Sequence, residues 1–319
     1  MTRLGFTRLL AVFLVAFSPG ATMAQAPDKV EILLDWKPLP TFAGFFLARQ
    51  LGAFERRGLD VTFKEVQGAL MSAEAIGKGD PFWIGSSSGM ATAMGRARGL
   101  PIKSLAVYYR ETPSAIFSRA EDRIAHPRDL YGKTLGVVPG SITNDEVRAM
   151  FAINRLDLGQ VKRVEVKWDP FDLLEKKVDA LVDYEEMTPA ELLSEGRRLL
   201  VLRLSDFGVR TYSLNLIVNE EAFKDPRKRE IALKIVDAVQ EGYSIVKDRP
   251  SDASLHFSRM FPRLAPNYVV RGMVTVAQQL GHPPIGVQTR DGWDKTLKLL
   301  GSLDLLAKPI TVEEIANFE

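Results

Sequence analysis

The sequence predicts an α/β protein folded as two lobes, and three observations carry that expectation. Short apolar runs alternate with helix-length amphipathic segments from residue 29 to about residue 218, the pattern of lobes built on mostly parallel sheets. A second series of the same kind begins at Pro127. Setting aside the first 24 of 319 residues leaves 295, ample for two cores rather than one.

Taken in order, residues 29–34 read as the first strand and 42–51 as a helix after a Pro-rich turn. Residues 61–66 form a second strand; 81–85 run into Ser86, Ser87 and Ser88, which the pattern puts at the opening of another helix, and 102–109 is again strand-like. The second series has a strand at 134–138, a helix after Gly140, a strand at 164–166, a helix from Phe171, a strand at 180–182 and a helix from Thr188. Beyond Asn219 the alternation stops, and 226–248, 266–280 and 288–300 predict a helical layer. No flexible linker separates the lobes, so the chain is expected to cross between them more than once, near 112–115 and 212–214. The expected division is 1–24 as a signal peptide, 25–114 with 213–319 as lobe I, and 115–212 as lobe II.

The first 24 residues combine Arg3 and Arg8, an apolar run at 9–17 and the small-residue exit Ala21-Thr22-Met23-Ala24. The run is shorter than the roughly 20 residues a membrane span needs. Pro19, Gly20 and Pro27 would break a buried helix here. Export with cleavage after Ala24 is expected. With no Cys to carry a lipid, the mature chain should stay free in the periplasm. The absence of Cys also removes disulfides, thiol catalysis and zinc–thiolate sites. His126, His256 and His282 have no metal-like or triad-like spacing, so no metal and no cofactor are expected. The formal charge of +2 falls to 0 without Arg3 and Arg8, which gives no reason for a nucleic-acid partner.

The stretch from Leu34 to Phe46 puts four aromatics at a strand-to-helix junction, where ligands of α/β lobes gather. Trp36 is the first stacking candidate. Phe45 and Phe46 read equally well as core. Ser86 and Ser87 bring hydroxyls and free N–H groups to a turn, where a plain N-cap would explain one serine but not necessarily the run; Gly140 permits a similar tight turn in the second series, where Ser141 and Thr143 read equally well as caps. Tyr184, Glu185 and Glu186 follow a strand, with Glu186 preferred for the cleft. Tyr109 and Arg110 end the strand before the first crossing, and Arg110 is the one arginine placed to meet an anion. The cluster Arg227-Lys228-Arg229 reads as a solvated helix face.

Leu34-Asp35-Trp36 with Pro38, Ala43-Gly44, Ala48, Gly52-Ala53-Phe54 and Gly58-Leu59-Asp60-Val61 closely resembles the opening of ABC-transporter solute-binding proteins of the thiamine-pyrimidine-precursor and sulfonate/nitrate group. The resemblance continues through Asp129-Leu130-Tyr131-Gly132-Lys133-Thr134-Leu135-Gly136-Val137, Lys177-Val178-Asp179-Ala180 and Asp206-Phe207-Gly208-Val209. It implies a two-lobed periplasmic binding protein with its ligand cleft between the lobes, a small-molecule ligand, an inner-membrane ABC permease as partner, and a monomer. It also implies that the Gly140 loop touches ligand and that an acidic residue after the 180–182 strand accepts from an aminopyrimidine. The pyrimidine branch usually has Asn and Asn-His where this chain has Leu39 and Thr41-Phe42, so Phe42 could widen the stacking surface for a larger ring. The expected ligand is a planar heterocycle, a thiamine pyrimidine precursor first, then a riboflavin-like ring, then a sulfonate, taurine or nitrate. A pyrimidine synthase of the same fold is the remote alternative. Those enzymes look to use a Cys-rich motif and histidine chemistry that this chain lacks.

Overall fold

The computed structural model describes residues 26–167, 169–282 and 284–318, and the expected signal segment lies outside these. Along the chain come β1 (Asp28–Leu34), α1 (Ala43–Gln50), β2 (Leu59–Glu65), α2 (Ala69–Lys78), β3 (Ile84–Ser88), α3 (Gly89–Ala97) and β4 (Ile102–Val107). Then follow β5 (Ser114–Arg119), β6 (Thr134–Val137), α4 (Thr143–Ile153), β7 (Lys162–Glu165), α5 (Phe171–Leu174), β8 (Ala180–Tyr184), α6 (Thr188–Ser194) and β9 (Leu199–Arg203). The chain ends with β10 (Leu214–Asn219), α7 (Glu220–Phe223), α8 (Pro226–Asp248), α9 (Pro250–Met260), α10 (Pro266–Gln279), α11 (Arg290–Ser302) and α12 (Val312–Ile315).

These strands make two five-stranded sheets, ordered β2-β1-β3-β10-β4 and β7-β6-β8-β5-β9. Each carries one lobe. The two orders are the same pattern. In both, four strands run one way, and the strand that follows a passage from the other lobe, β10 or β5, runs against its neighbours. The sheets are therefore mixed: the parallel pairs β1/β2, β1/β3, β6/β7 and β6/β8 are those the sequence alternation foresaw.

The inserted strands escaped the sequence reading because polar residues interrupt their apolar pattern. All six residues of β5 and of β10 are buried. Several of their polar groups are satisfied internally: Arg119 Nη1 donates to the Val178 carbonyl at 3.1 Å, and Asn215 Nδ2 donates to Thr92 and Ser104 at 3.2 Å, whereas Ser118 Oγ and Arg119 Nε are buried without a hydrogen-bond partner. Strand β9 and helix α9 were also passed over. The serine run needs a correction as well. Ser86 and Ser87 belong to β3, and Ser88 alone caps α3, accepting from the Ala91 N–H at 3.1 Å.

The largest core lies in the first lobe, where Phe45 packs edge-on against Phe42, Phe63, Tyr108 and Tyr243. Helix α8 reaches this core only because two glycines let it approach α1. A Cβ on Gly242 would stand 2.0 Å from the Gly44 carbonyl, and one on Gly44 would stand 2.3 Å from the Tyr243 ring. Phe45 and Phe46 are accordingly core residues.

Candidate functional site

The carboxyl ends of the parallel strands of both sheets face each other, and the space between them is a cavity. Beyond a strand's last residue the backbone leaves the sheet, so side chains and free N–H groups there turn toward the cleft. From the first lobe come Asp35 and Trp36 after β1, Thr41 and Phe42 from the 3₁₀ turn at 40–42, Gly68 and Ala69 opening α2, Ser87 of β3 and Leu214 of β10. From the second come Val138 after β6, Ser141, Ile142 and Thr143 opening α4, then Val182, Asp183 and Tyr184 of β8, and Met187. The cavity volume is about 60 Å³. That is room for one small ring.

Trp36 and Tyr184 bring aromatic surface from opposite lobes. The Trp36 indole Nε1 is buried without a hydrogen-bond partner, a donor that an acceptor atom on a ligand would satisfy. The Tyr184 hydroxyl lies 3.2 Å from Ser213 Oγ, which ties β8 to the return crossing. Burial drives this phenol well above its ordinary pKa, so it stays neutral.

Two carboxyls line the cavity, one from each lobe. Ser86 donates to Asp35 Oδ1, yet burial outweighs that hydrogen bond and raises the Asp35 carboxyl above its ordinary pKa. Asp183 accepts from Thr188 Oγ1 at 2.6 Å and from the Tyr184 N–H at 2.8 Å. Lys37 lines a neighbouring pocket that shares Trp36 and Val138 with the cavity, and its pKa is lowered by burial against the opposing pull of Asp183 and Glu191. Among the described residues no Arg, Lys or His lines the cavity itself. Ser141 Oγ lies 2.9 Å from Thr143 Oγ1 and accepts from the Thr143 N–H at 3.3 Å, so both hydroxyls organise the start of α4.

Of the residues singled out in the sequence, Trp36, Phe42, Ser87, Ser141, Thr143 and Tyr184 line the cavity together. Ser86, Tyr109, Gly140 and Glu186 lie outside its lining, each for a local reason. Ser86 is turned onto Asp35. Ser87 does line the cavity, but its hydroxyl donates to the Ala69 carbonyl at 3.0 Å. Gly140 instead lies against Gly68 of the other lobe: its carbonyl stands 3.3 Å from where a Cβ on Gly68 would be. Tyr109 and Glu186 are fully buried side by side, behind the 40–42 turn. Glu185 is held by Arg203 at 2.8 Å, and Arg110 donates to the Pro284 carbonyl at 2.6 Å, so neither reaches the cavity. Asp35 and Asp183 were missed although both are legible as acidic residues at strand ends, one inside the Leu34-Asp35-Trp36 motif.

Residues 39–253 match the family described as NMT1/THI5 like. The chain is 24% identical to the formylaminopyrimidine-binding protein of Halalkalibacterium halodurans, covering 96% of this chain and 95% of that one. It is 23% identical to the riboflavin-binding protein RibY of Chloroflexus aurantiacus, over 92% and 88% of the two chains. It is 26% identical to the 4-amino-5-hydroxymethyl-2-methylpyrimidine phosphate synthase of Uromyces fabae, over 75% and 73%. Its fold is that of the alkanesulfonate-binding protein SsuA from Xanthomonas axonopodis pv. citri bound to MOPS, with a TM-score of 0.72 at 15% identity, covering 92% of this chain and 99% of that one.

Proposed function

The chain belongs to the NMT1/THI5-like family, and from that premise we propose that it is the solute-binding protein of an ABC importer. It captures a small planar heterocycle, a formylated or aminated pyrimidine first, between its closing lobes. It works in the periplasm after loss of residues 1–24, as a monomer that presents its closed form to an inner-membrane permease. Lobe I is residues 25–114 with 213–319, and lobe II is residues 115–212.

The observation that carries this reading is the composition of the cavity: aromatic surface and one carboxyl from each lobe, with no cation in the lining among the described residues. Asp35 accepts from Ser86 and Asp183 from Thr188 and the Tyr184 N–H, and a carboxyl sheltered from water is stabilised by further donors. A ring edged with amino or N–H groups offers them on both sides, stacks on Trp36, and gains contacts from both lobes that stabilise the closed state. A sulfonate or nitrate would meet carboxyl groups where an anion calls for cations or N–H donors. A flavin needs more room than one small ring, so it takes second place. Transport is preferred to the pyrimidine synthase reading because export and a Cys-free chain suit a receptor.

Thermal-shift screening of the mature protein tests this, because a ligand specific to the native state raises stability by RT ln(1 + [L]/Kd). Stabilisation by formylaminopyrimidine or an aminopyrimidine is expected. Stabilisation by alkanesulfonates alone would overturn the ligand class.

A further inference from the structure

One wall of the cavity is held from the opposite lobe. Tyr184, at the end of β8 in lobe II, lines the cavity, and its hydroxyl lies 3.2 Å from Ser213 Oγ, where the chain has returned to lobe I. Ser213 is buried and fixed on both sides of its backbone. Its N–H donates to the Tyr109 carbonyl at 3.0 Å, and its carbonyl accepts from the Gly89 N–H at 2.9 Å. Lobe I thus builds the post that the aromatic wall of lobe II leans on.

Tyr212, the residue before this post, anchors it. Its N–H donates to Thr296 Oγ1 at 3.1 Å; its hydroxyl accepts from the Thr289 N–H at 3.0 Å and lies 3.1 Å from Thr289 Oγ1. Thr289 caps α11 and Thr296 lies about two turns along it, so Tyr212 spans the start of this helix and takes up a donor that a helix end leaves free. The ring stands edge-on to Trp293 with centroids 5.2 Å apart. Two glycines make the fit possible. A Cβ on Gly292 of α11 would overlap the Tyr212 hydroxyl, and one on Gly89 of α3 would overlap the Tyr212 carbonyl. Neither Tyr212 nor Ser213 lines the cavity.

We infer that Tyr212 is a positioning residue for the ring site: clamped between the first turns of α3 and α11, it holds Ser213 where the Tyr184 hydroxyl meets it, and so sets the Tyr184 ring against the bound heterocycle without touching the ligand. The inference rests on the reading that a planar ring occupies the cavity. Hydrogen bonds weaken steeply as their geometry departs from the ideal, so a small shift of the post loosens the wall. The path runs through contacts on the page: Thr289 to Tyr212, Tyr212 to its neighbour Ser213, and Ser213 to Tyr184.

Two measurements on the mature protein test this, one of them without ligand. In protein carrying Cζ-labelled tyrosine, the Tyr184 resonance, identified by its loss in Tyr184→Phe, should move in Tyr212→Phe toward its position in Ser213→Ala. Tyr212→Phe keeps the ring on Trp293 and removes only the hydroxyl. With formylaminopyrimidine as the probe, calorimetry should show affinity about two- to tenfold weaker in Tyr212→Phe and in Ser213→Ala, the worth of one neutral hydrogen bond. The double variant should bind no more weakly than Ser213→Ala alone, because both changes act through one contact. A Tyr184 resonance unmoved by Tyr212→Phe, wild-type affinity in that variant, or losses that add in the double variant would each overturn the inference. A role in stability alone would lower the urea midpoint and leave resonance and affinity as they were. If formylaminopyrimidine does not bind the wild type, the ligand reading falls, and the resonance alone still decides whether Tyr212 positions Tyr184.

Discussion

The Ser86 hydroxyl donates to Asp35 Oδ1 and accepts from the Asp35 backbone N–H at 2.9 Å, so one side chain of β3 fixes both ends of the residue that follows β1. This pairing sets the direction in which Trp36 leaves the sheet. It also keeps the raised Asp35 pKa below where burial alone would put it.

Removing the hydroxyl should therefore act on Asp35 before it acts on the fold. Ser86→Ala should raise the Asp35 pKa further and cost about 1–3 kcal/mol, because a charge-assisted hydrogen bond is lost and a backbone donor is left unpaired. Carboxyl-carbon NMR titration with urea denaturation checks both parts. An unchanged Asp35 pKa would show that burial alone governs it.

Trp36→Ala should weaken ring binding by about 1–3 kcal/mol while leaving the urea midpoint close to that of the wild type. Trp36 is only partly buried and lies at the edge of the lobe I core, so its removal trims little packing. Calorimetry with an aminopyrimidine found in the screen is the measurement, and equal affinity would remove Trp36 from the site.

Glu146 gives a stability prediction with a defined sign. Burial pushes its carboxyl up to about 7 against the Ser114 and Thr112 hydroxyls. Because the folded-state value exceeds the unfolded 4.5, its contribution is fully present below pH 4.5 and is lost as pH rises through 7. At about 1.4 kcal/mol per unit, the loss is about 3 kcal/mol. Glu146→Gln should flatten that part of the stability profile between pH 4.5 and 7. A profile as steep as the wild type's would place the titration elsewhere.

Two glycine substitutions separate packing from helix propensity. Gly242→Ala drives a methyl into the Gly44 carbonyl and should cost about 1–3 kcal/mol or more, outweighing the ~1 kcal/mol that alanine gains in a helix. Gly301→Ala, with nothing within 4 Å of its added methyl, should leave the urea midpoint unchanged or raise it. Equal responses at the two sites would mean that α8 does not depend on its close approach to α1.

Much of the fold was legible because its parallel strands and their helices carry clean periodicities. The residues of β1, β2, β6 and α8 read correctly for that reason. Strand β5 did not, because Ser114, Ser118 and Arg119 interrupt its apolar run although all are buried, and the partners of Ser114 and Arg119, Glu146 and the Val178 carbonyl, lie far along the chain. The site followed the same division. Aromatics at strand ends pointed to Trp36 and Tyr184. The choice of carboxyl, Asp35 and Asp183 rather than Glu186, depended on a turn of the chain that no local spacing encodes.

The sequence by itself determined the two-lobed α/β class, the helical C-terminal third and the strand-end stretch from which half the cavity is built, since these follow from periodicity and from where strands stop. Only the tertiary structure decided that each sheet takes in one reversed strand after the chain crosses over, that Ser86 serves Asp35, and that Glu186 is closed in by Thr41 and Tyr109. Burial and protonation belong to a neighbourhood, and these neighbourhoods are assembled from residues as far apart as Thr41 and Glu186.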